Sequence, residues 1–183
     1  MSAISAKTLK DFCKGKKRAF DKIYHAYSPG MYAIALRYMK DEDEAKDVLQ
    51  NSFIKLYNSR DKFDPSGSIG AYIKRITINT ALDELRKKKK FEPIENNLIL
   101  SEDEVDFEIE ENNKQSYEQL LGFIQDLPDG YRTVFNLFVF ENLKHTEIAE
   151  YLDISVNTSK SQLMKAKRML KEKLSSLVNA ERA

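Results

Sequence analysis

Along most of this chain, apolar residues recur at three- and four-residue spacing, the period of one helix face. Residues 11–26 carry Phe12, Phe20, Ile23 and Tyr24, and a second segment, 31–38, follows the break Ser28-Pro29-Gly30. Residues 43–57 place Ala45, Val48, Leu49, Phe53, Ile54 and Leu56 at helical spacing, and Asp64-Pro65-Ser66-Gly67 is a turn signature. A long helix is predicted over 68–90. Helical periodicity resumes at 116–125, stops at Leu127-Pro128-Asp129-Gly130, and continues over 131–140. Period-two alternation occurs in the run Val105-Asp106-Phe107-Glu108-Ile109-Glu110. One short acidic strand without a partner is not stable. The pattern therefore predicts an all-α fold. Two small helical domains, 5–91 and 116–179, are joined by a flexible acidic linker, 92–115.

The last helical stretch, 144–170, reads as two short helices around a tight turn. Ile148, Ala149, Tyr151 and Leu152 give the first an apolar face, Asp153-Ile154 makes the turn, and the Ser155 hydroxyl is suited to cap the second. At about 100° per residue, Val156, Ser159, Leu163, Ala166, Leu170 and Leu174 fall on one side and are predicted to pack inward. The other side collects Asn157, Lys160, Ser161, Met164, Lys165 and Arg168. Amide, hydroxyl and guanidinium groups suit base edges, and lysines suit phosphates, as in the second helix of a helix-turn-helix lying in a major groove. A solvated face of an ordinary surface helix is the plainer alternative.

The long helix 68–90 repays the same angular reading. Ile69, Ile73, Ile76 and Thr80 form one buried face, and Ile78, Leu82 and Leu85 a second. Between them runs a narrow stripe of Tyr72, Arg75, Asn79, Asp83 and Arg86, followed by Lys87 to Lys90. An aromatic ring, an amide and guanidinium groups in line suit unstacked bases and phosphates of a single strand. A solvated seam with a basic C-terminus favoured by the helix dipole is the competing explanation.

Charge changes the picture more than composition does. The net charge is only +1, but residues 92–112 hold nine acids and no Lys or Arg, so the rest of the chain carries +10. A single Cys cannot form an internal disulfide, and no apolar run approaches the ~20 residues of a membrane span. No signal-peptide core opens the chain, so a cytoplasmic protein without membrane insertion is expected. Catalytic, metal-binding and cofactor-binding residues are not expected. His25 and His145 form no His-Glu-x-x-His motif, and Gly15-Lys16 lacks the upstream Gly of a phosphate loop. His145 reads as a surface helix residue.

Together, these segments resemble the extracytoplasmic-function group of bacterial sigma factors, members of the sigma-70 family. Residues 45–57 (Ala45-Lys46-Asp47-Val48-Leu49-Gln50-Asn51 onward) are similar to the family's polymerase-binding helix. Ala71-Tyr72-Ile73-Lys74-Arg75-Ile76 through Asn79, Asp83 and Arg86 is similar to its promoter-melting helix. Leu127-Pro128, residues 131–135, Glu147-Ile148-Ala149 and Thr158-Ser159-Lys160-Ser161 resemble its region 4. Tyr72 stands where the family usually has Trp, Asp153 where the turn usually has Gly, and Lys144 where a small hydroxyl often caps.

The resemblance implies a promoter-specificity and transcription-initiation factor whose partners are core RNA polymerase and promoter DNA, both duplex and non-template single strand. Polymerase would be met by Asp47, Gln50, Asn51 and Lys55, with Phe53 and Leu56 as packing. The −10 element would be held by Phe63, Tyr72, Arg75, Asn79, Arg86 and Lys87, with the loop 63–70 cradling an extruded base. The −35 duplex would be read by Asn157, Lys160, Ser161, Met164, Lys165 and Arg168, with Arg132 and Thr158 on phosphates. An anti-sigma factor is a frequent companion in this group, although no residue here requires one. The acidic linker would occupy the polymerase's basic RNA path, shield the chain's own basic faces, or serve as a spacer. The alternative is a helix-turn-helix regulator that binds duplex DNA without polymerase.

Overall fold

The computed structural model describes residues 4–88 and 114–181, with side chains for 4–88 and 118–176. Chain contacts divide the protein into two units, 1–89 and 90–183. Among the described residues every regular element is helical. The acidic run and its period-two stretch lie outside the described residues.

In the first unit, α1 (Ala6–Cys13) is capped by Ser5, whose Oγ accepts the Thr8 N–H at 3.2 Å. It ends where Gly15 takes a φ of +75°, a left-handed conformation that costs glycine nothing. The segment 11–26, expected as one helix, is therefore divided there. α2 (Lys17–Tyr38) then runs straight through Ser28-Pro29-Gly30, where the sequence suggested a break. Pro29 is exposed and removes one backbone donor, but Ile23, Met31, Ile34, Ala35 and Tyr38 stay buried on either side of it. Burial of that continuous face outweighs the local preference. Replacing Pro29 with Ala restores the missing hydrogen bond and should stabilise this unit by about 1–2 kcal/mol, after the unfolded chain's extra freedom is subtracted. A thermal melt of the variant checks this.

α3 (Glu42–Asn58) starts at Asp41, whose Oδ1 accepts the Glu44 N–H at 2.8 Å, and Glu42, Asp43 and Glu44 favour its positive end. A short 3-10 turn, Arg60–Lys62, leads to α4 (Ile69–Lys88). Ile69, Ile73, Ile78, Ala81, Leu82 and Leu85 are buried, as are Thr77 and Thr80, whose hydroxyls donate to carbonyls one turn back. α2, α3 and α4 pack mutually around Phe12, Ile23, Val48, Leu56 and Ile73, with α1 against α2.

The second unit contains α5 (Lys114–Gln125), α6 (Asp129–Val139), α7 (His145–Leu152) and α8 (Val156–Glu181). α6 and α7 both pack on α8, and Ile124, Leu127, Val134, Phe135, Leu137, Ile148, Leu163, Ala166 and Leu170 form the core. Glu147 compensates for Lys144 as a cap by accepting the Lys144 N–H at 2.7 Å. Asp153 ends α7 in the left-handed region (φ 56°, ψ 48°), and Ile154 N–H closes back to the Ala149 carbonyl at 3.0 Å. Asp tolerates this conformation better than most residues, so the turn forms without the usual glycine.

Candidate nucleic-acid interface

α8 begins where the Ser155 Oγ accepts the Thr158 N–H at 2.9 Å, and the two hydroxyls lie 2.8 Å apart. From that cap the helix presents Asn157, Lys160 and Arg168 exposed, with Thr158, Ser161, Met164 and Lys165 half-buried along the same side. The Lys165 Nζ lies 5.9 Å above the Tyr131 ring, and the Ser161 hydroxyl donates to the Thr158 carbonyl at 3.0 Å. Ser159, Leu163, Ala166 and Leu170 turn inward. Val156, expected inward with them, is instead 37% exposed. It lies on the first turn of α8, at the margin of the apolar arc. Gln162 is buried, its amide packed against Gly130 at the start of α6, a space that any side chain there would narrow.

Arg132 does not face solvent. It is fully buried and donates to the Gln125 carbonyl at 2.9 Å, the Leu127 carbonyl at 2.8 Å and the Asp129 carboxylate at 2.8 Å. These bonds satisfy carbonyls left open at the end of α5. Its expected phosphate contact is therefore corrected: Arg132 staples α5 to α6. The Asp129–Arg132 spacing of three within one helix was the available signal.

His145 is a second surprise. Its ring stacks on Phe138 (centroids 4.8 Å apart, 24° between planes), and its Nδ1 lies 2.9 Å from the Ser159 Oγ. Burial, and then the Lys160 and Lys167 ammonium groups, hold the imidazole below its ordinary pKa. It links three helices and is not a simple surface residue.

On α4, Arg75, Asn79, Arg86 and Lys87 are exposed in line, and Tyr72 is half-buried at the head of the stripe. The Tyr72 hydroxyl donates to the Ser59 Oγ at 3.1 Å, and its ring lies 5.3 Å from that of Phe63. Phe63, expected to touch DNA, is 6% exposed and packs between Phe12 and Tyr72. The correction follows from position: the loop closes over the core, and Phe63 supports the ring that remains accessible. The loop itself is held by Asp64. Its carboxylate accepts the Ser66 N–H at 2.9 Å and the Ser66 hydroxyl at 2.7 Å, which keeps its pKa below the usual carboxylate value. Asp83 pairs with Lys55 of α3 at 3.1 Å and with Arg86 at 3.7 Å. Lys87 pairs with Glu84, and Lys88 with Glu44 of α3. Lys89 and Lys90 lie outside the described residues.

α3 offers Asp47, Gln50, Asn51 and Lys55 to solvent. Phe53 and Leu56, expected as docking contacts, are buried at 3% and 0%. Phe53 is enclosed by Phe20 and Tyr24 of α2, and Leu56 belongs to the core. The exposed apolar residue of this helix is Ile54, at 50%. Ile54 borders a groove of about 770 Å³ between α2 and α3, lined by Phe20, Tyr24, Leu49, Phe53 and Tyr57 and rimmed by Lys17, Lys46 and Gln50.

A helix-turn-helix on one helical unit and a cationic, aromatic-headed stripe on another define a two-domain helical DNA-binding protein. Residues 23–91 match Sigma-70 region 2, and residues 117–170 match Sigma-70, region 4. The ECF RNA polymerase sigma factor SigW of Bacillus subtilis (strain 168) is 31% identical over 194 residues, covering 97% of this chain and 100% of the relative. The ECF RNA polymerase sigma-E factor of Haemophilus influenzae (strain ATCC 51907 / DSM 11121 / KW20 / Rd) is 29% identical, covering 90% and 92%. The fold is also that of the sigma factor RpoE solved with the anti-sigma factor NepR from Bartonella quintana. That likeness has a TM-score of 0.54 and 18% identity, over 85% of this chain and 96% of the other. CnrH, solved with the cytosolic domain of CnrY, gives a TM-score of 0.52 at 20% identity over 97% and 99%. The chain belongs to the ECF RNA polymerase sigma factor family.

Proposed function

We propose that this chain docks on core RNA polymerase through α3, reads the −35 duplex with α8 and holds the opened −10 strand on α4. The observation that carries this reading is the pairing, in one chain, of a duplex-reading helix with a separate stripe suited to unpaired bases. A repressor needs the first and has no use for the second. Asn157, Lys160, Ser161, Met164, Lys165 and Arg168 are the base-edge and phosphate candidates on α8, with Thr158 beside the cap. Tyr72, Arg75, Asn79, Arg86 and Lys87 are those on α4. The chain selects and opens the promoter, and the polymerase makes the phosphodiester bond. No helix among the described residues is long and apolar enough to cross a membrane, and a chain that binds promoter DNA together with polymerase would work in the cytoplasm. An anti-sigma factor, as bound by the Bartonella relative, would act here by covering α3 or α8.

Run-off transcription with purified bacterial core polymerase tests the whole reading. Promoter-dependent transcripts should need both proteins. A chain that footprints a palindrome alone and yields no transcript with its cognate polymerase would be a free-standing regulator. The docking surface has its own test. With Phe53 and Leu56 buried, Ile54 is the apolar anchor among Asp47, Gln50, Asn51 and Lys55. Ile54→Asp should weaken core binding by about 2 kcal/mol or more, the range of an interface hot spot. Because Ile54 is half exposed, helicity should be unchanged. Competition against wild type for core polymerase measures the loss.

A further inference from the structure

Three helices of the second unit meet at one side chain. His145, the first residue of α7, stacks on Phe138 of α6 and faces Ser159 of α8 across 2.9 Å. The Lys167 Nζ lies 6.0 Å from the centroid of the Phe138 ring, so α8 returns to the same cluster two turns later. Ser159 is fully buried, and its sequence neighbours Thr158 and Lys160 flank the outward side of α8. We propose that His145 is a positioning residue for the −35 interface: its contact with Ser159 sets the rotation of α8 about its own axis, and so which side chains reach the duplex. This rests on the promoter-reading role proposed above for α8.

The remainder of the inward face explains why such a contact is needed. Apart from Gln162, whose amide rests against Gly130 of α6, the buried residues Leu163, Ala166 and Leu170 are aliphatic, and aliphatic packing is non-directional. One residue of helical rotation is 100°, so a modest roll moves Lys160 or Asn157 off the groove and brings another side chain in. A hydrogen bond between the half-buried imidazole and the buried Ser159 hydroxyl has a preferred direction and distance, which resists that roll. The charged groups facing the ring are Lys160 and Lys167, both on α8, and burial first, then these cations, favour its neutral form. A neutral imidazole leaves one ring nitrogen free to accept, or the other arrangement to donate, toward the Ser159 hydroxyl. Without His145, Ser159 can turn to a carbonyl one turn back in its own helix. The domain then keeps its fold and loses its alignment.

The test uses holoenzyme reconstituted from bacterial core polymerase and the full chain, selecting from duplexes randomised at the −35 position. Wild type should enrich one sequence. His145→Ala and Ser159→Ala should each cut discrimination between that sequence and a scrambled one by about tenfold, which corresponds to ~1.4 kcal/mol. Affinity for the scrambled duplex and for core polymerase should not change. The double variant should be no worse than either single one, because both remove the same contact. His145→Asn, whose amide reaches the region of Nδ1, should retain most of the discrimination. Full discrimination by His145→Ala overturns the proposal. So does a parallel loss of specific binding, scrambled binding and far-UV helicity in the two alanine variants without rescue by Asn, which is the signature of fold support alone. If wild type enriches nothing, the promoter-reading role fails and takes this proposal with it.

Discussion

Replacing Arg132 with Met should cost the second unit about 3–5 kcal/mol, the cost of breaking a buried ion pair from one side. Unlike most surface substitutions, this one strands several groups at once. Asp129 loses the guanidinium it pairs with at 2.8 Å, and the Gln125 and Leu127 carbonyls lose donors at 2.9 and 2.8 Å. Small domains have only ~5–15 kcal/mol of stability in total, so the loss should lower the unit's melting temperature by tens of degrees or abolish its transition. Removing both charges, with Arg132→Met and Asp129→Asn together, should be milder than Arg132→Met alone, because the half-buried Asp129 carboxylate charge goes with the guanidinium it pairs with. Core-polymerase binding through the first unit should survive. Calorimetry resolves the outcome: an Arg132→Met protein with an unchanged second transition would return Arg132 to the surface role that its sequence context suggested.

The second large effect concerns promoter opening. Tyr72→Ala should slow or prevent capture of the unpaired −10 strand by roughly 1–3 kcal/mol, the worth of one base stacked on an aromatic ring. Tyr72→Phe separates stacking from support. It keeps the ring against Phe63 and removes only the 3.1 Å bond to Ser59, so it should open DNA nearly as wild type does. A fluorescent adenine analogue in the −10 element reports unstacking directly. Equal opening by Tyr72→Ala and wild type would remove Tyr72 from the interface.

Helical periodicity made the architecture legible because apolar residues recur at helical spacing in each segment, on two arcs in α4, and α4, α6 and α8 formed where that spacing predicted. The stripe Arg75, Asn79 and Arg86 was readable for the same reason, being the gap between two buried arcs. The errors share a different cause. The family resemblance gave Phe53 and Leu56 a docking role, but a matched helix gives direction and says nothing of depth: Phe53 is enclosed by Phe20 and Tyr24 of α2, and Leu56 lies in the core. Phe63 took its expected DNA contact from the resemblance, and a turn sequence does not show whether the aromatic side chain beside it folds under the loop, as this one does. Pro29 illustrates the limit of local rules, since a buried face on both sides carried α2 through it. Arg132 had one sequence signal, its spacing of three from Asp129, but the open carbonyls at the end of α5 that it satisfies are not legible in sequence. No composition rule marks a buried arginine.

The carboxylate of Asp83 lies between a cation of α3 and a cation of α4, close enough to serve both. Two surfaces assigned to different partners thus share one counter-ion. A polymerase acid that draws Lys55 away leaves more of the Asp83 charge for Arg86, and a DNA phosphate that claims Arg86 returns it to Lys55. Thermodynamic reciprocity makes these one antagonism viewed from either side. Since an exposed ion pair contributes only ~0–1 kcal/mol, the antagonism amounts to a fine adjustment. It should fade as salt screens the seam, leaving the two grips more independent at high ionic strength than at low.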